Sequence, residues 1–303
     1  MNSRLADFTT PAPPVRTALR LIFSKRTPWP SEVPVEQRQP PTPRRPAEVV
    51  LTFIGHSTFL IQTAEKNILI DPVYSQHAGP WGRFGPRRVR QPGVAFDDLP
   101  EIAIVLISHN HYDHCDLPTL KKIDGRFHPV FITPVGNGRL LKSAGVRRVR
   151  ELDWWETADE ISLTPAKHFS ARTLFDRNRA LWGGFMIAMP SVRIFFAGDT
   201  GYAPHFNEIR ERYGPVDLAL LPIGAYEPRW FMKAIHMNPA EAVQAHFDLA
   251  AKRSIGMHLG TFRLTTEGID EPITALGHEL EARSIPPRAF RTLDVGESVS
   301  FPA

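Results

Sequence analysis

Residues 107–116 read ISHNHYDHCD, which places His109, His111, Asp113 and His114 within six positions. Protonated side by side, these imidazoles would repel one another. Buried and unpaired, each would forfeit a hydrogen bond. A shared cation removes both penalties, because imidazole nitrogen and carboxylate oxygen suit zinc and similar divalent ions. Four donors in six residues can serve two ions side by side. The preceding run IAIVLIS reads as a buried strand ending at Ser108, so His109 and His111, two apart, project to one side if the backbone stays extended. Asp113 and His114 then come from a turn.

Two ions need more donors. His168 in LTPAKHFS, Asp199 in IFFAGDTGY and His258 in SIGMHLGTF each follow an apolar strand and lie next to small residues. Taken singly, each is weak and reads more readily as a satisfied histidine or a turn aspartate. Together they suit a site assembled on one rim of a sandwich. Cys115 directly follows the motif, but seven better-placed donors exist, and we read it as structural. As the chain's one cysteine it also excludes an intramolecular disulfide framework.

The elements that must position these donors are β-branched and aromatic runs of four to eight residues, bounded by Gly, Pro, Asn or Asp: VVLTFIG, TFLIQT, NILID, IAIVLIS, VFITP, ISLTPAK, GGFMIAM, VRIFFAG and DLALLPIG. Helical patterns fall at roughly 116–123, 137–144, 205–213, 238–251 and 271–283. The fourth opens with Asn238-Pro239-Ala240-Glu241, an N-cap, a proline in the first turn and an acid three residues after the cap. Continuous apolar strands interleaved with helices predict an α/β protein whose sheets are covered by helices.

Residues 1–47 differ from this body. They hold 10 of the 29 prolines and eight Lys/Arg against three acids, a balance of +5 where the whole chain carries +4. We expect a Pro-rich basic arm over 1–47 and one compact domain over 48–303. The stretch VRTALRLIFSK (15–25) is apolar on one helical face, which suits docking on the body or lying on a bilayer surface. The first residues lack a secretory pattern and no run approaches a membrane span, so the expected location is cytoplasmic. The loop 71–93 is rich in Gly, Pro and Arg. Arg83, Arg87, Arg88 and Arg90 either meet a phosphate-bearing ligand or are solvated charge.

His109-Asn110-His111-Tyr112-Asp113-His114 resembles the H-x-H-x-D-H signature of the metallo-β-lactamase fold hydrolases, and His168, Asp199 and His258 follow in that family's order. The resemblance implies an αβ/βα sandwich of two mixed β-sheets flanked by helices. It also implies two zinc ions per chain: one on His109, His111 and His168, the other on Asp113, His114 and His258, with Asp199 bridging. A narrower resemblance spans about 49–265. GHSTFLI, DPVYS, GPRRVR, ELDWWE, RTLFDRNRALWG, LPIGAYEPRWFMK and HMNPAEAV are similar to the N-acyl-phosphatidylethanolamine-hydrolysing phospholipases D. Those enzymes imply a phosphodiesterase that uses a metal-activated water, a phospholipid substrate, peripheral association with a membrane and a homodimer. The family carries a polar residue where this chain has Ile235.

By this resemblance Asp71 is an acid that orients a ligand or the water, against the alternative of a cap on its Asp-Pro turn. His236 would donate to the phosphate or the leaving oxygen, or is a surface residue ahead of the helix. Tyr112 and Tyr226 shape the pocket or merely pack. The candidate catalytic set is therefore Asp113, Asp71 and His236. His56 supports the site through a hydrogen bond, and His246 packs inside a helix. A near-neutral body argues against nucleic acid as partner, since phosphate polymers need many basic contacts. Other hydrolases on the same metals, such as a lactonase, and a zinc-stabilised binding protein remain the competing functions.

Overall fold

The computed structural model describes residues 8–11, 20, 24–43, 45, 48–173, 175–190 and 192–301. Among them, fourteen strands form two seven-stranded mixed sheets. The first sheet contains β1 (Val49–Gly55), β2 (Thr58–Gln62), β3 (Asn67–Ile70), β4 (Ile104–Leu106), β5 (Val130–Pro134), β6 (Val149–Leu152) and β14 (Ser298–Phe301), in the order β14-β1-β2-β3-β4-β5-β6. The second contains β7 (Thr157–Ala158), β8 (Ile161–Thr164), β9 (Gly184–Ala188), β10 (Arg193–Phe196), β11 (Leu218–Pro222), β12 (Arg253–Met257) and β13 (Phe290–Thr292), in the order β13-β12-β11-β10-β9-β8-β7. Both halves follow one plan. Pairing is antiparallel from β14 through β3 and from β7 through β10, and parallel from β3 to β6 and from β10 to β13.

Helices cover the outer faces: α1 (Leu117–Phe127) and α2 (Gly138–Ser143) on the first sheet, α3 (His205–Tyr213), α5 (Pro239–Asp248) and α6 (Glu271–Ala282) on the second. The short α4 (Arg229–Met232) lies in the loop after β11. Strand periodicity decides which residue meets which layer. Phe59 and Ile61 of β2 and Ile68 and Ile70 of β3 face the core between the sheets, with Leu163, Phe196 and Leu220 opposite. Leu60 and Leu69 face the other way, onto Leu120 and Ile123 of α1 and Leu141 of α2. The central positions of these strands, Phe59–Ile61 and Ile68–Ile70, are all apolar because both faces are covered.

The parallel strands of both sheets end toward one rim. Asp71 follows β3, His109 comes three residues after β4, and His168, Asp199 and His258 follow β8, β10 and β12. The expected helix over 15–25 lies outside the described residues apart from Arg20, Ser24 and Lys25. The described residues before Glu48 lie against the body: Val33 N–H donates to Val89 O at 2.7 Å, Arg38 N–H to Gly93 O at 2.7 Å and Trp29 Nε1 to Glu267 O at 2.9 Å. Among the described residues no helix is long and apolar enough to cross a membrane.

Candidate metal centre

The backbone after β4 is extended through Ser108 and turns at 111–115, where His114 and Cys115 N–H groups both donate to His111 O at 3.2 and 2.8 Å. The crowded motif is thus a strand exit and a tight turn, and α1 begins immediately beyond it. The other donors reach it as follows. His109 Nε2 lies 2.9 Å from His111 Nδ1, and His168 Nε2 lies 3.2 Å from the same atom. Asp199 Oδ2 is 3.8 Å from both His109 Nε2 and His168 Nε2. On its other side Asp199 Oδ2 is 3.2 Å from His114 Nε2 and 3.2 Å from His258 Nε2. Asp113 Oδ2 closes that second group at 3.6 Å from His114 Nε2 and 3.3 Å from His258 Nε2.

These donors form sets whose ligand atoms all lie within 4.8 Å of one another: His109, His111, His168 and Asp199 in one, and His56, Asp113, His114 and His258 in the other. Donors about 2.0–2.2 Å from a common ion stand roughly 3–4 Å apart, as these do. His114 Nε2, His258 Nε2 and Asp199 Oδ1 are buried with no hydrogen-bond partner. Such orphans are costly in a dry interior unless a cation meets them. The residues therefore fit a metal, and the cluster is able to bind one.

Neighbours of the ligands fix which nitrogen faces inward. His114 Nδ1–H donates to Asp71 Oδ2 at 2.7 Å. His109 Nδ1–H donates to Ser108 Oγ at 2.9 Å, and that hydroxyl donates to Asp71 Oδ2 at 2.6 Å. Asp71 Oδ1 also accepts from Ser108 N–H at 2.8 Å, so one buried carboxylate orients two imidazoles. His168 Nδ1–H donates to Ile235 O at 3.0 Å, a backbone role to which the residue 235 side chain is indifferent. In each case Nε2 is the nitrogen that faces the centre.

Burial, with neighbouring imidazoles, holds His109 well below the ordinary histidine value, and burial takes His111 down to about 4 and His168 far down. These three are neutral and ready to ligate at pH 7. The second set behaves oppositely. Burial lowers His114 and His258, but the carboxylates of Asp199 and Asp113 outweigh it, so His114 stays well above the usual range and His258 rises to about 9. Burial likewise fails to raise Asp113 and Asp199, which the adjacent imidazoliums hold well below the usual carboxylate range. Without a cation, protons on His114 and His258 balance the two carboxylates.

Local backbone serves the same end. His56, Asp71 and His258 all take positive φ (57°, 40° and 62°), conformations that non-glycine residues rarely adopt. Gly198, at φ 63° before Asp199, has no room for a side chain: a Cβ there would lie 2.7 Å from Gly183 O, next to β9 of its own sheet, and 3.2 Å from Ser108 Cβ, beyond β4 of the other.

Other expected residues fall variously. His236 is buried beside the cluster, its Nε2 3.9 Å from Asp199 Oδ2, and burial brings it down to about 4. It forms a further ligand-capable group with Asp199 and His258. His56, expected to assist by hydrogen bonding, does hold Asp113 Oδ2 at 3.1 Å and also belongs to the second donor set. Tyr112 lines a cleft beside half-buried His111. Tyr226 is buried, and its hydroxyl donates to Glu271 at 3.4 Å. One arginine of loop 71–93 needs correction. Arg88 neither meets solvent nor faces a ligand site; it is buried and donates to the carbonyls of Val73, Ser75 and Arg90, stitching the loop together. Arg90 pairs with Asp270 at 3.5 Å, while Arg83 and Arg87 are exposed. Sequence reading missed Ser108, whose hydroxyl links Asp71 to His109; its place before the motif was the only signal.

A family model described as a β-lactamase superfamily domain matches residues 66–259. The chain belongs to the β-lactamase superfamily. This superfamily member is 37% identical over 263 residues to N-acyl-phosphatidylethanolamine-hydrolyzing phospholipase D 1 of Caenorhabditis elegans, covering 81% of this chain and 74% of that one. It is 39% identical over 235 residues to the mitochondrial N-acyl-phosphatidylethanolamine-hydrolyzing phospholipase D of Saccharomyces cerevisiae, covering 73% of this chain and 49% of the yeast one. A solved metallo hydrolase from Ignicoccus hospitalis shares its fold at a TM-score of 0.62 and 24% identity, over 84% of this chain and 98% of that chain. The two mixed sheets flanked by helices are those of the metallo-β-lactamase fold, and the protein is a hydrolase of that class.

Proposed function

We propose that the protein is a phospholipase D type phosphodiesterase that holds two zinc ions and hydrolyses N-acyl-phosphatidylethanolamine to N-acylethanolamine and phosphatidic acid. The observation that carries this reading is the pair of donor sets with Asp199 Oδ2 between them. Zinc, when bound, would neutralise charge on the phosphodiester and lower the pKa of water so that attack at phosphorus is feasible near pH 7.

The chain's own residues prepare for this. His109, His111 and His168 would hold one ion and Asp113, His114 and His258 the other, with Asp199 shared. Asp71 and Ser108 keep His109 and His114 in the ligating tautomer. His236, neutral at pH 7, offers a hydrogen bond to the substrate phosphate or leaving oxygen. Burial of every ligand except half-buried His111 excludes bulk water and directs approach from that side.

That side supports a lipid. An open cleft of about 670 Å³ runs from Tyr112 past Leu117 and Pro118 to Trp81, with Lys121 and Arg172 on its walls. Apolar floor and cationic wall match an acyl chain and a phosphate. At its edge Trp81 (76% exposed) packs its ring against Phe84 (58% exposed), an aromatic pair suited to the interfacial layer of a bilayer. The names of the nematode and yeast relatives agree with this substrate class.

The test is purified, zinc-loaded protein with N-acyl-phosphatidylethanolamine vesicles in ¹⁸O-water. Free N-acylethanolamine and phosphatidic acid carrying one ¹⁸O, both abolished by a chelator, are expected. A chain that holds two zinc ions yet releases neither product would point to another metallo-β-lactamase fold hydrolase.

A further inference from the structure

His168 is held differently from the other donors. It lies on the loop beyond β8, paired on both edges by segments distant in sequence. On one edge Lys167 bridges Gly201, whose N–H donates to Lys167 O at 2.9 Å. On the other edge lies the beginning of the chain. Thr9 pairs in parallel with His168, and the Thr10 hydroxyl donates to His168 O at 3.2 Å.

Two anchors hold this segment in place. Phe8 is buried, edge-on to the rings of Trp154 at 5.5 Å and His205 at 5.8 Å. The Arg177 guanidinium donates to Thr10 O at 3.0 Å, to Thr10 Oγ1 at 3.2 Å and to Pro11 O at 3.3 Å. It also lies 3.7 Å from the centre of the Phe169 ring, and that ring packs on His168 at 4.9 Å and His111 at 4.6 Å.

We infer that residues 8–11 are a working part of the metal centre, a clasp that positions His168 directly and His111 through Arg177 and Phe169. The inference rests on the metal-binding part of the reading above. Here a buried hydroxyl, that of Thr10, is aimed at the carbonyl of a ligand, and a buried aromatic, Phe8, anchors the segment two residues earlier. A segment that only covered the surface would need neither. Phe8 and Thr10 are thus positioning residues: they touch no reacting atom and set where one of the ligand nitrogens stands.

The experiment uses the full chain and zinc alone, with affinity read by competition against a chromophoric chelator. Phe8→Ala and Thr10→Val are expected to weaken one zinc ion by about 10-fold or more, the usual effect of removing a partner that orients a ligand. Thr10→Ser keeps the hydroxyl and should retain wild-type affinity. Phe301→Ala, on the edge strand β14 opposite Val49, controls for general loss of stability and should also retain it. Wild-type affinity in both Phe8→Ala and Thr10→Val would overturn the inference, as would equal losses in Thr10→Ser or Phe301→Ala. Because substrate is absent, lack of lipid turnover would refute the proposed activity and not the clasp. A wild-type chain that takes up no zinc would refute both.

Discussion

Each imidazole has two nitrogens, and the one that faces a metal is decided by what holds the other. Asp71 decides this for His114 directly and for His109 through Ser108. Asp71→Asn is therefore expected to weaken zinc by about 10- to 100-fold while leaving the fold intact by circular dichroism. Unchanged affinity would reduce Asp71 to a cap on its Asp-Pro turn. His109→Ala and Asp199→Asn, which remove ligands outright, should abolish turnover yet leave vesicle adsorption near wild type. Protons must also leave when metal enters. His258, raised to about 9, and His114, held well above its ordinary value by the same carboxylates, are charged at pH 7 in the metal-free chain. Zinc binding should thus release roughly two protons and tighten as pH rises, measurable by calorimetry in buffers of different ionisation enthalpy. Most of this was legible in the sequence because metal chemistry restricts residue types and spacing. Ser108 was not, since serine is common and its role depends on two partners 37 and 1 residues away. Tyr226 stayed open between a pocket wall and packing, for a tyrosine near a motif carries no sign of which way its ring turns; its hydroxyl donates to Glu271.

At the level of elements, strands buried on both faces were readable as continuous apolar runs. The edge strands β6, β13 and β14 were not, because their exposed or half-exposed positions break that pattern. Caps were readable where their chemistry is local. Asn238 accepts from Glu241 N–H at 2.9 Å while Glu241 accepts from Asn238 N–H at 3.1 Å, the reciprocal box that opens α5. Asn238→Ala should cost about 1 kcal/mol of unfolding free energy in a denaturant titration. His205 gave no sequence signal, yet it is buried at the first position of α3 under Phe8, and burial depresses it to about 3. A depressed histidine stabilises the fold fully above its unfolded value near 6.5, and that contribution is lost as pH falls, because the unfolded chain takes the proton first. Wild type should lose up to about 1.4 kcal/mol more per pH unit than His205→Gln between roughly pH 6 and 4. Parallel slopes for the two proteins would show that His205 is not kept neutral.

Across the whole molecule, charge and shape divide the labour. A cleft lined by Trp81, Tyr112, Leu117, Pro118, Lys121 and Arg172 opens next to the metal-binding turn, and the paired rings of Trp81 and Phe84 are exposed. Trp81→Ser with Phe84→Ser is expected to reduce sedimentation with anionic vesicles by about 10-fold, the scale of one or two aromatics withdrawn from an apolar layer. Undiminished co-sedimentation would place the membrane contact elsewhere. The two-sheet design has a mechanical consequence as well. His56, His109, His111, Asp113 and His114 extend from one leaf of the sandwich, His168, Asp199 and His258 from the other. Any ion they share is a rivet driven through the open edge of a book whose spine is greasy and permanent. Stripping that rivet should let the pages part from the riveted edge inward. Amide exchange would then quicken first around Ser108, Gly183 and Gly198, long before the strands between Phe59 and Leu220 feel the loss.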